Sequence, residues 1–176
     1  VDIAKLGAAF AYTLDGGRVG KIDDETFSAD GVEIEITGVA QHPGTSKGVM
    51  ENAIKIASDI VARLPKDMAP ETTDGRQGFI HPTGISGSMD SAHLQFIIRD
   101  FVNEGLTEKE ALLKSIAEDV MKAYPGSTMR FAVTEQYRNM KEVLDRHPEI
   151  MANLTEAVRR VGLTPATNAI RGGTDG

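Results

Sequence analysis

Gly31-Val32-Glu33-Ile34-Glu35-Ile36-Thr37 alternates apolar and polar side chains with a period of two, as a strand with one buried and one wet face does. Reading outward, Gln41-His42-Pro43-Gly44-Thr45 is a turn, because Pro43 and Gly44 do not continue a central strand. Val49, Ala53, Ile56, Ala57, Ile60 and Leu64 then recur at helical spacing. Thr45 or Ser46 is the expected N-cap, and Pro65 stops that helix. Lys66 to Gln77 reads as a loop. Phe79–Ser86 and Ala92–Phe101 read as two strands joined by the hairpin connection Gly87-Ser88-Met89-Asp90. In the second, Leu94, Phe96 and Ile98 face one way, and His93, Gln95, Ile97 and Arg99 the other. Thr107-Glu108-Lys109-Glu110 has the form of a capping box. It predicts a helix with the stripe Leu112, Ile116, Val120 and Ala123, ended by Pro125-Gly126. Met129, Phe131 and Val133 alternate as a last strand. From Gly31 to Tyr137 the order is β-α-β-β-α-β. It predicts an α+β, ferredoxin-like domain: a four-stranded antiparallel sheet with two helices on one face.

The flanks have another character. Phe10 to Thr13 reads as a short buried strand broken by Asp15-Gly16-Gly17, and Arg18 to Asp30 as an extended connector. His147-Pro148-Glu149 opens a helix with proline in its first turn. Ile150, Leu154, Ala157, Val158 and Val161 supply its apolar face, and Gly162 its C-cap. Ala166 to Ile170 reads as a strand, followed by Arg171-Gly172-Gly173-Thr174-Asp175-Gly176. The economical organisation is an inserted domain at 31–137. Segments 1–30 and 138–176 then return to a second, incomplete α/β domain. The chain begins at Val1 and stops inside a Gly-rich turn, so it is expected to belong to a longer protein.

Composition sets limits. The formal net charge is -7; nucleic acid would need a basic face, and an anionic membrane surface would repel it. No apolar run approaches the roughly 20 residues of a membrane span. No charged-then-apolar leader opens the chain. With no cysteine, disulfides and thiolate metal ligands are excluded, which suits the cytoplasm.

Few residues invite chemistry. Asp15, after a strand and before two glycines, could bind a metal or simply cap its own turn. His42, in a Pro-Gly turn, could donate to a ligand oxygen or be an ordinary loop histidine. Arg99 lies beside Asp100, with which a surface ion pair is the plain expectation. Arg171 precedes two glycines that would let a backbone approach a ligand, and arginine can grip a carboxylate with two parallel hydrogen bonds. His81, His93 and His147 show no ligand spacing. The sequence alone does not complete a metal site.

Several segments together resemble the M20 family of zinc peptidases, in particular its aminotripeptidase branch. They are Ala11-Tyr12-Thr13-Leu14-Asp15-Gly16-Gly17, His42-Pro43-Gly44-Thr45-Ser46-Lys47-Gly48 and Pro70-Glu71-Thr72-Thr73-Asp74-Gly75. Ile97-Ile98-Arg99-Asp100-Phe101 and Ile170-Arg171-Gly172-Gly173-Thr174-Asp175-Gly176 complete the set. The resemblance covers essentially the whole chain. It implies a catalytic domain with two zinc ions and an inserted ferredoxin-like lid that could also form a homodimer. It implies Asp15 as ligand to one zinc. It implies His42 as a lid residue that stabilises the reacting carbonyl oxygen in an active site, which in many members of the family is that of a dimer partner. Arg171, Gly172, Gly173 and Thr174, with Arg99, would contact a short peptide substrate. The family's other ligands and its general base do not occur between Val1 and Gly176. The resemblance therefore implies that this segment alone binds no zinc and has no peptidase activity. The competing readings are another M20 amidohydrolase or carboxypeptidase, and a stand-alone ferredoxin-like dimerisation or binding module.

Overall fold

The computed structural model describes residues 3–14 and 16–174. Contacts divide the chain into two units, residues 28–137 and residues 1–27 with 138–176. The first contains β2 (Ser28–Thr37), α2 (Ala53–Ala62), β3 (Phe79–Gly87), β4 (Ser91–Asp100), α3 (Asn103–Met121) and β5 (Thr128–Tyr137). The second contains α1 (Ile3–Leu6), β1 (Lys21–Thr26), α4 (Lys141–Arg146), α5 (Pro148–Arg160) and β6 (Ala166–Ile170).

In the unit 28–137 the strands lie in the order β3-β4-β2-β5, every neighbour antiparallel. The register aligns the predicted apolar positions. Val32 faces Phe96 and Val133, and Ile34 faces Leu94 and Phe131. Val32, Ile34, Ile36, Leu94, Phe96 and Ile98 are all buried against Ala53, Ile56, Ala57 and Ile60 of α2 and Leu106, Leu113, Ala117 and Val120 of α3. The result is the expected ferredoxin-like layer pair, with β2 central and paired on both edges. Its strand starts three residues before the visible alternation, because Ser28, Ala29 and Asp30 are buried and paired as well.

Both helices start elsewhere than expected. α2 is capped by Asn52, whose Oδ1 accepts from the Ile54 amide at 3.0 Å, not by Thr45 or Ser46. Residues 46–52 are diverted by a backbone bridge between Val39 and Glu51, and Gly38 permits this approach because a Cβ there would collide with the Glu51 carbonyl. Glu51 then takes hydrogen bonds from the Gly126 amide (3.0 Å) and Ser127 Oγ (2.6 Å), tying down the entry to β5. α3 starts at Asn103, so Thr107 is interior and donates to the Asn103 carbonyl instead of capping. The N-cap position is Val102, with no side-chain cap, and Asp100 holds the entry to the helix: its Oδ1 accepts from the Val102 amide at 3.1 Å and its Oδ2 from Lys109 Nζ at 2.6 Å. The earlier start moves the buried stripe to Leu106, Leu113, Ala117 and Val120.

In the other unit β1 and β6 pair in parallel from Lys21↔Ala166 to Thr26↔Ile170. The polar run Lys21 to Thr26 is thus a strand rather than a connector; Ile22, Thr26 and the following Phe27 are buried. Phe10 to Thr13 forms no strand and is exposed. No ladder partner runs beside it among the described residues, so its apolar side chains settle locally. The Phe10 and Tyr12 rings meet edge to face at 5.6 Å, and Tyr12 donates to the Ile150 carbonyl at 2.8 Å. α5 opens with Pro148. It closes with Gly162 at φ +78°, where Gly162 N bonds Arg159 O and Leu163 N bonds Val158 O, a Schellman cap. Ile150, Leu154 and Val158 are half-buried, while Ala157 and Val161 of the expected apolar face are exposed. Among the described residues no helix is long and apolar enough to cross a membrane.

Candidate functional site

The sequence-derived candidates fall in both units. Asp15 lies outside the described residues. His42 sits in the loop after β2, where Pro43, Gly44 and Thr45 form a single 3-10 turn. Its Nδ1 accepts from the Gly44 amide at 3.1 Å. A Cβ on residue 44 would crowd the imidazole at 3.3 Å, so glycine lets the ring fold over the backbone. With Nδ1 engaged as acceptor, the neutral ring carries its proton on Nε2, an exposed donor held by a short loop.

Arg99 is half-buried on β4, opposite Ala29 of β2 and Phe79 of β3. Its guanidinium lies 6.0 Å from the Phe79 ring centroid. The expected pairing with Asp100 does not occur, because successive strand residues point to opposite faces and Asp100 is taken by Lys109. Burial pushes the phenol of Tyr137 above its ordinary value, while the nearby Arg99 charge works against it. Arg99 and His42 stand at opposite ends of one sheet. Arg99 is level with Ala29, whereas His42 follows the far end of the strand at Thr37. Eight residues of strand separate those levels, roughly 27 Å. The unit 28–137 does not bring the two side chains together.

Arg171, Gly172, Gly173 and Thr174 follow β6 directly. The β1–β6 ladder continues through a hydrogen bond from the Phe27 amide to the Ile170 carbonyl at 3.2 Å. The fully buried Phe27 ring and the half-buried Arg171 are thereby neighbours, with the guanidinium carbon 5.3 Å from the ring centroid. Sequence reading missed Phe27, whose apolar character was hidden in a polar run.

It also missed one cluster. Glu33, Glu35 and His93 bring one ligand atom each within 4.8 Å of one another, because Glu35 and His93 are cross-strand partners and Glu33 is two residues along the same face. Linear spacing cannot show that. Arg130 already pairs with Glu35 at 3.2 Å, and His93 approaches Glu33 at 3.9 Å. This is the ion-paired outer face of an exposed sheet.

The four-stranded unit and the residues it carries define a class. The chain belongs to the M20 family of peptidase dimerisation domains; the family model, described as "Peptidase dimerisation domain", matches residues 25–128. Beyond that domain, it is similar to Peptidase T of Clostridium perfringens strain 13: 41% identical over 175 residues, covering 99% of this chain and 43% of that protein. The chain thus spans about two fifths of the length of this curated relative. In fold it resembles a tripeptidase from Staphylococcus aureus subsp. aureus Mu50, with TM-score 0.78, 20% identity, and coverage of 100% of this chain and 47% of the other. It also resembles a Bacillus subtilis protein described as a dinuclear metal-binding peptidase of the M20 family, with TM-score 0.57, 17% identity, and coverage of 88% and 39%.

Among the described residues of the unit 1–27 with 138–176, no three histidine or carboxylate groups converge. Four ligands are the norm for zinc. The described residues therefore do not by themselves fit a zinc centre.

Proposed function

We propose that this chain supplies the lid and two catalytic-domain segments, 1–30 and 138–176, of a metal-dependent aminopeptidase that removes the N-terminal residue of tripeptides and other short peptides. One observation carries the reading. β1 and β6 run parallel and leave Phe27 and the Arg171–Thr174 turn side by side at their C-terminal ends, the edge at which α/β sheets bind ligands. The likeness to Peptidase T and to a solved tripeptidase supports the choice of substrate.

In this reading Arg171 meets a peptide carboxylate with two parallel hydrogen bonds. Gly172 and Gly173 admit the peptide backbone, Thr174 lines the same wall, and Arg99 is a second contact. His42 donates from Nε2 to the scissile carbonyl oxygen as negative charge develops there. His42 stands at the end of the sheet remote from the 27–28 and 137–138 crossings. That position suits delivery to the active site of a second copy in a homodimer formed through residues 28–137. A zinc pair would need ligands beyond those described here, with Asp15 contributing one carboxylate. The segment alone is accordingly inactive, and its setting is the cytoplasm.

The test is mass-spectrometric product analysis with the longer polypeptide that carries this segment. The reading expects a free tripeptide to lose its N-terminal residue and the N-acetylated peptide to survive. Removal of the C-terminal residue first, or no cleavage of either, would overturn it. So would tripeptide cleavage by the 176-residue chain on its own, for the part that calls the segment inactive.

A further inference from the structure

Phe27 occupies the wall of the proposed carboxylate site, and its chemistry exceeds what burial requires. The residue is fully buried at the end of β1. An aliphatic side chain would fill such a position as well. What an aromatic ring adds is a negative face, which attracts a guanidinium within about 6 Å of the centroid. Arg171 lies within that range, at 5.3 Å. The placement does not depend on a flexible loop. Thr26 and Ile170 are ladder partners, and the Phe27 amide bonds the Ile170 carbonyl, so the backbone register itself sets ring and guanidinium against each other.

Two interactions of different kind would meet at Arg171. The ring face attracts the guanidinium as a cation, whereas a carboxylate is gripped by the N–H fork in the guanidinium plane. Attraction to the ring also restrains a long, rotamer-rich side chain before substrate arrives, and ordering it beforehand lowers the cost of binding.

We propose that Phe27 is a positioning residue that presets the Arg171 guanidinium for the C-terminal carboxylate of a peptide. This rests on the reading of Arg171 given above, and the experiment separates the two. The longer polypeptide carrying this segment is assayed with a free-acid tripeptide and with the same tripeptide amidated. Arg171→Ala is expected to lose activity on the free acid and little on the amide. Phe27→Leu is expected to raise KM for the free acid about fivefold to tenfold, with kcat and the amidated peptide nearly unchanged. A merely structural role would move both peptides alike.

If Arg171→Ala does not discriminate between the peptides, the underlying reading falls and takes this proposal with it. If Arg171→Ala discriminates but Phe27→Leu affects both peptides equally, or neither, the positioning role alone is overturned. Should Phe27→Leu not fold, Phe27→Met keeps an apolar side chain without a ring. On the 176-residue chain, the Arg171 Hε resonance should carry a ring-current shift that Phe27→Leu or Phe27→Met abolishes; its persistence would equally overturn the proposal.

Discussion

Replacing Lys109 by methionine should destabilise the unit 28–137 far more than a surface charge removal does. The ammonium sits 2.6 Å from Asp100 Oδ2, and the two side chains are only 13% and 11% exposed. Methionine keeps the unbranched stem but strands the carboxylate, which then retains the Val102 amide on Oδ1. Gly78 and Gly105 pack so closely on Asp100 that a Cβ at either would collide with it, so little room exists for a replacement cation. Removing one partner of a buried pair costs about 3–5 kcal/mol. The residual exposure and the surviving amide bond place this case at the lower end, about 3 kcal/mol. Urea unfolding followed by far-UV circular dichroism, with exchange of the Leu94 and Ile98 amides as the local readout, measures it. Asp100→Asn combined with Lys109→Met should recover most of the loss, because no charge is then left unpaired. Thr107→Ala, at the position the sequence marks as a cap, should change stability by no more than about 0.5 kcal/mol. A Lys109→Met loss within about 0.5 kcal/mol of zero would show a solvated pair and refute the reasoning.

Three further outcomes follow from single positions. Ile34→Ala, at a fully buried site in the central strand, should cost about 3–4 kcal/mol in urea unfolding. Gly162→Ala should cost about 1 kcal/mol in thermal unfolding, since φ is +78° with open space around it and only backbone strain opposes a side chain. The bond from Ser127 Oγ is the main cause holding the Glu51 carboxyl below its ordinary value of 4.5; desolvation opposes it, and the Gly126 and Ser127 amides add to the lowering. A depressed folded pKa gives stability that is present above the unfolded value and lost as pH falls through the folded one. Glu51→Gln should therefore flatten the fall of Tm below pH 4.5, and an unchanged acid limb would contradict that assignment.

The parts of the fold legible in the sequence are those in which one residue's environment repeats along the chain. Val32, Ile34 and Ile36 announced a half-buried strand because sheet pleating imposes period two. The order of elements between Gly31 and Tyr137 then left the ferredoxin-like arrangement as the natural one. What stayed hidden depends on partners distant in sequence. Lys21 to Thr26 became a strand because Ala166 to Ile170 lies beside it, and Phe10 to Thr13 did not because no ladder forms there. Thr107 looked like a cap, yet the helix begins at Asn103, and Asp100, paired with a lysine nine residues on, holds the Val102 amide at its entry. Among the candidate site residues, His42 and Arg171 stand out from their glycine and proline context. The placement of the Arg171 guanidinium over the Phe27 ring does not, since it crosses a ladder between residues 144 positions apart.

The most direct test of the account is kcat for a free tripeptide, measured on the longer polypeptide with His42 intact and with His42→Ala. Loss of a donor that acts only as charge develops should lower kcat about a hundredfold or more, with an unchanged circular dichroism spectrum. An unaltered kcat in a folded His42→Ala protein would contradict the catalytic role assigned to the exposed imidazole at the end of the sheet.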